Sequence, residues 1–148
     1  MSDPSLRIVL ERDELHLAQD LARRDGVRVE VEPQPHVVEP MTAILVAGGA
    51  LLVAKFVVDL IDRLRGGLVI DLRSGTRREI RRDRGVPYGW VTIITADGTV
   101  KVETHDAPRD AAERLLNQIL SGALTTPTQI ANAASEALGP ERVEADQS

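Results

Sequence analysis

Apolar Leu6, Ile8 and Leu10 alternate with polar neighbours over residues 6–11, a period of two that predicts a half-buried strand. The spacing then changes to three and four. Leu15, Leu17, Ala18, Leu21 and Ala22 share one face of a helix over residues 13–25, with Asp13 and Glu14 in its first turn, Arg23 and Arg24 in its last, and Gly26 as its stop. Val27, Val29 and Val31 next alternate with Arg28, Glu30 and Glu32, so residues 27–32 read as a second strand, parallel to the first in a right-handed βαβ unit. Pro33, Pro35 and Pro40 impose an extended connector.

Residues 41–65, MTAILVAGGALLVAKFVVDLIDRLR, form the longest apolar segment and read as a long central Ala/Gly-rich helix. Leu45, Val46, Leu52, Val53, Phe56 and Val57 recur at helical steps, as do Leu60, Ile61 and Leu64. A second stripe of small residues, Ala43, Ala47, Ala50 and Ala54, would let another backbone approach closely. It either packs the helix on its own domain or forms a self-association face. A membrane span fits less well, because the uncharged run from Met41 to Ala54 is shorter than the roughly 20 residues a bilayer requires. Lys55, Asp59, Asp62 and Arg63 then follow, with Asp59 and Arg63 spaced for an ion pair along one helix.

Residues 68–73 and 76–82 read as two strands turned by Ser74-Gly75, which sets Val69 opposite Ile80 and Asp71 opposite Arg78. Residues 90–96 and 99–105 make a clearer hairpin around Asp97-Gly98, with Val91, Ile93, Thr95, Val100, Val102 and Thr104 on one face and Trp90, Thr92, Ile94, Lys101, Glu103 and His105 on the other, one of the two being core. Asp106 is placed to cap a helix that carries Pro108 in its first turn and ends at Gly122. A short helix follows over residues 126–138, and residues 139–148 read as a disordered acidic tail. Residues 1–122 therefore form the expected domain. Its fold class is α+β: a ferredoxin-like sheet of about five to six strands with helices packed on one face.

Composition narrows the function. With 148 residues one core is expected, and a single Trp, Tyr and Phe leave Val, Leu, Ile and Ala to build it. So few aromatic rings, with a net charge of −5, disfavour nucleic acid as a partner. Absence of cysteine removes thiolate metal sites and thiol nucleophiles and fits a reducing compartment, so the expected location is cytoplasmic. His16, His36 and His105 lie on separate segments with no metal-helix spacing, and no G-x-S-x-G, P-loop or G-x-G-x-x-G motif occurs. Neither a catalytic residue nor a cofactor is assigned. The unusual charge feature is the run Arg73, Arg77, Arg78, Arg81, Arg82 and Arg84, either a solvated edge or a patch for an acidic partner or phosphate. From this run, Arg77, Arg78, Arg81, Arg82 and Arg84 are the candidate partner-binding residues.

The segments LRIVLERDELHLAQDLARRDGVRVEVEPQP, MTAILVAGGALLVAKFVVDLIDRLR and LVIDLRSGTRREI, within residues 6–82, give an order that resembles the effector-associated constant component family of bacterial conflict systems. The chain departs from that pattern in lacking a helix tryptophan and in extending into a second hairpin and C-terminal helices. The resemblance implies a non-enzymatic adaptor or scaffold that works beside an effector protein; self-association is the expectation from the small-residue stripe Ala43, Ala47, Ala50 and Ala54. The alternative is a small-ligand or phosphate-sensing module using the Arg-rich hairpin 73–84.

Overall fold

The computed structural model describes residues 5–32, 41–64, 67–73, 79–83 and 85–146. Among them, strands β1 (Ser5–Glu11), β2 (Arg28–Val31), β3 (Met41–Ala47), β4 (Gly67–Asp71), β5 (Glu79–Asp83), β6 (Trp90–Thr95), β7 (Gly98–Glu103) and β8 (Val143–Asp146) form one mixed sheet. Its strand order is β2-β3-β1-β5-β4-β6-β7-β8, and helices α1 (Leu15–Asp25), α2 (Ala50–Arg63), α3 (Arg109–Leu120) and α4 (Pro127–Leu138) accompany it. Eight strands in this order exclude the ferredoxin-like sheet of five to six strands.

The extra strands come from two corrections. Residues 41–65 are not one helix: Met41–Ala47 is a strand hydrogen-bonded to β1 on one side and β2 on the other, and α2 starts only at Ala50. Thr42, Ile44 and Val46 are branched at Cβ and point to one side at a period of two, which suits a strand buried on both faces. Gly48 and Gly49 then break the element, and a Cβ at Gly48 would lie 3.3 Å from a Val27 methyl. The second correction is at the C-terminal end. Residues 139–146 are not a disordered tail: Pro140–Arg142 makes a 3-10 turn and Val143–Asp146 pairs with β7, Val102 against Val143.

Register assigns the sheet faces. Val46 and Ile44 of β3 lie beside Leu6 and Ile8 of β1, Ile8 beside Ile80 of β5, Ile80 beside Ile70 of β4, and Ile70 beside Ile93 of β6. These residues join Leu21 of α1, Phe56 of α2, Leu116 of α3 and Ile130 of α4 in one continuous core. The βαβ reading is right in direction, since β1 and β2 both run antiparallel to β3, but β3 lies between them. Thr126 and Gln129 close a capping box on α4. Asp106 does not cap α3; Pro108 holds that position, and Asp106 has φ 59.

Two hairpin registers differ from expectation. β4 pairs Ile70 with Ile80 and Val69 with Arg81, because pairing Val69 with Ile80 would turn Ile70 out of the core. The expected Ser74-Gly75 turn and Arg78 lie outside the described residues, as do His36 and the three connector prolines. In β6–β7 the turn is Ala96-Asp97, with Thr95 opposite Gly98. Thr95 is buried and closes that turn itself, accepting from the Asp97 amide (3.1 Å) and donating to the Gly98 carbonyl (2.8 Å). The shift keeps the assigned faces, since Val91, Ile93, Val100 and Val102 are all buried. No helix of the described residues is long and apolar enough to cross a membrane.

Candidate functional site

The face of the sheet opposite the helices carries a chain of ion pairs. Arg7 of β1 binds Glu32 (3.2 Å) and Glu79 of β5 (2.9 Å); Arg81 of β5 lies 3.9 Å from Glu79 and 3.4 Å from Asp71 of β4; and Arg73 binds Asp71 at 2.9 Å. The bonds from Arg73, with help from Arg81, hold the Asp71 carboxyl well below its usual range. Arg7 and Arg81 are matched by carboxylates on neighbouring strands, and Arg73 by Asp71 two residues before it. Leu45, Val9 and Ile94 sit half-buried on the same face, with buried Ala43 and Val69 among them.

The Arg-rich run is therefore divided. Arg81 lies in this ladder, whereas Arg82 points to the opposite face, beside Leu68, and its side chain is only 6% exposed. Its Nε donates to Glu14 Oε2 at 2.8 Å, while Oε1 of the same carboxylate accepts from the Glu11 amide. Arg82 is thus a buried structural cation and not part of an exposed patch. Arg77, Arg78 and Arg84 lie outside the described residues. The alanine stripe is divided too. Ala43 and Ala47 are on β3, and Ala50 and Ala54 on α2, so they do not form one helical face.

A cleft of about 280 Å³ opens at the other side of the molecule. Its position follows from the β6–β7 hairpin: Trp90 pairs with Glu103, so Tyr88 and Gly89 just before the hairpin lie next to Thr104 and His105 just after it. Gly89 takes φ 84, and its carbonyl accepts from the Thr104 amide (2.7 Å) and the His105 amide (3.2 Å). A Cβ at Gly89 would fall 2.5 Å from the His105 Cβ. The Tyr88 and His105 rings meet edge to face with centroids 5.1 Å apart, and the Tyr88 hydroxyl donates to the Asp62 carbonyl at 3.1 Å. Val58, Ala107 and Ala112 supply apolar lining.

Charge gathers on the rim. Arg109 of α3 binds Asp59 of α2, lies 3.3 Å from Asp62 and bonds Glu113 at 3.0 Å, while His105 Nε2 stands 3.3 Å from Asp106. Asp59 thus turns to another helix instead of making the expected local pair with Arg63. Burial pushes the Asp62 carboxyl above its usual range; His105 and Arg63 oppose the rise and Asp106 adds to it. A carboxyl raised in the fold contributes stability that is full below its unfolded value of 3.8 and is lost as pH climbs through the raised value. Asp62→Asn removes that loss, so the difference in melting temperature between variant and parent should move in the variant's favour from pH 4 to pH 7. The opposite trend, followed by calorimetry, would mean that attraction to Arg109 outweighs burial.

Sequence reading missed this cleft, although the pairing of Trp90 with Glu103 would have brought Tyr88 to His105. Nothing local announces Arg109 beside Asp59. Gly48-Gly49 lies between a strand and a helix, contrary to the sequence reading, but without the further glycine of a dinucleotide-binding turn. Among the described residues no three His, Asp or Glu side chains gather to hold a metal ion. Compared with known proteins, the chain matches no family model, and no curated protein or solved structure matches it.

Proposed function

We propose that this chain is a non-enzymatic adaptor or scaffold that self-associates and works beside an effector in a bacterial defence or conflict system. The observation that carries the reading is the face of the sheet turned away from the helices. The parallel pairs β1–β5 and β4–β6 lie inside the sheet, and parallel strands are usually covered on both sides. Here the helices of the described residues lie on one. The other mixes half-buried Val9, Leu45 and Ile94 with arginines already matched to carboxylates, a surface better suited to a protein than to a polyanion. The same matching weighs against the phosphate-sensing alternative, because Arg81 and Arg73 would have to leave Asp71 to bind an anion.

Leu45→Arg with Ile94→Arg tests it. The double variant should sediment as a monomer at concentrations where the parent is larger, and should lose co-purification with a protein encoded beside its gene. Both side chains are only half-buried, so the melting temperature should fall by no more than a few degrees. Identical mass and identical partner binding in parent and variant would overturn the reading.

A further inference from the structure

We propose that the cleft between Asp62, Tyr88, His105, Asp106 and Arg109 is a socket for one basic side chain, lysine or arginine, presented by a protein partner. The inference rests on the adaptor reading and names the chemistry of what is adapted. Size comes first: about 280 Å³ is at or below the lower bound of cavities that enclose whole small molecules, roughly 300–1,000 Å³, and suits a single side chain. The lining then sorts by depth and polarity. Val58, Ala107 and Ala112 offer apolar surface for a methylene stem, which long cationic side chains bury while their heads stay polar.

The aromatic wall points to a cation independently of the carboxylates. Tyr88 is 46% exposed, yet its ring is held in place by the hydroxyl bond to Asp62 and by edge contact with His105. A phenol ring this exposed attracts an ammonium or guanidinium that comes over its face within about 6 Å of its centroid. The backbone is also committed to this shape, with Gly89 and Asp106 both at positive φ on the two loops that bear the rings. At the rim stand Asp59, Asp62, Asp106 and Glu113, with the guanidinium of Arg109 among them and Arg63 acting on Asp62 as well. Three of them share Arg109; Asp106 faces only His105 in these contacts. Four carboxylates against Arg109 and Arg63 leave the rim net negative, so a cation entering beside Asp62 and Asp106 is favoured, whereas an acidic or phosphorylated ligand is repelled.

N-acetyl-arginine amide is the probe, titrated into the full chain and followed by NMR of Tyr88 and His105, with N-acetyl-citrulline amide as its neutral counterpart. The expected result is saturable shifts at these two residues for the arginine compound alone, weakened by salt. Asp106→Asn, on an exposed side chain whose φ asparagine tolerates, should reduce affinity several-fold, and Asp62→Asn with Asp106→Asn at least tenfold. A citrulline response equal to that of arginine, no saturable shift, or unchanged affinity in a folded double variant would each overturn the socket. Tighter binding of spermidine than of the arginine compound would overturn the protein source of the cation. These outcomes are separate from the adaptor reading, which is decided by co-purification through the sheet face away from the helices; a partner that still binds the Asp62→Asn, Asp106→Asn variant leaves the adaptor standing and removes the socket.

Discussion

Arg82→Gln is expected to lower stability by about 3–5 kcal/mol, because it leaves the Glu14 carboxylate, 12% exposed, without the cation it faces at 2.8 Å. In a chain of this size that is a fall of roughly 10 °C in melting temperature. The neighbouring Arg81→Gln makes the control. Arg81 is 36% exposed and its pairs with Asp71 and Glu79 are solvent-screened, so its loss should be below about 1 kcal/mol. Replacing both buried charges, Arg82→Met with Glu14→Leu, should recover most of the loss, since the cost lies in the orphaned charge. Equal effects at Arg81 and Arg82 in thermal unfolding would show that the register placing Arg82 on the helix side is wrong.

Phe56→Ala should cost a similar amount, about 3–5 kcal/mol. Phe56 is the chain's one phenylalanine, fully buried on α2, and it shares the core with residues of the sheet and of the other three helices. The other large buried side chains around it are Leu and Ile, which cannot spread to fill the space of a lost ring. Urea unfolding should show a lower midpoint with an unchanged slope, and Phe56→Leu should lose less. A loss under about 1 kcal/mol for the alanine variant would place Phe56 outside the core.

What was legible in the sequence follows the physics of period. The β6–β7 hairpin was readable because one face is buried and the other wet, so residues 90–103 alternate and Val91, Ile93, Val100 and Val102 stand out. The same rule applied to β5 would have revealed Arg82: once Ile80 is inward, the residue two further on is inward as well. Residues 41–47 were misread because β3, paired on both edges and carrying Ala43 and Leu45 on the side away from the helices, has no polar phase to betray its period. The small-residue stripe was a product of that error. At the cleft, Tyr88 and His105 could be joined by strand pairing, whereas Arg109 reaches Asp59 across 50 residues, beyond any local spacing rule.

The position of β1 between β3 and β5 also bears on how the chain is made. As synthesis proceeds from the N-terminus, β3 can pair with β1 once residue 47 has emerged, but the other edge of β1 waits for residues 79–81 of β5. Throughout that interval a seven-residue strand bearing Leu6, Ile8 and Leu10 presents open hydrogen-bonding groups beside the ribosome. A second nascent chain offers the same β5 partner, so strand exchange between copies competes with closure of the sheet. Slowing synthesis prolongs the exposure, and lower polysome density reduces the competition.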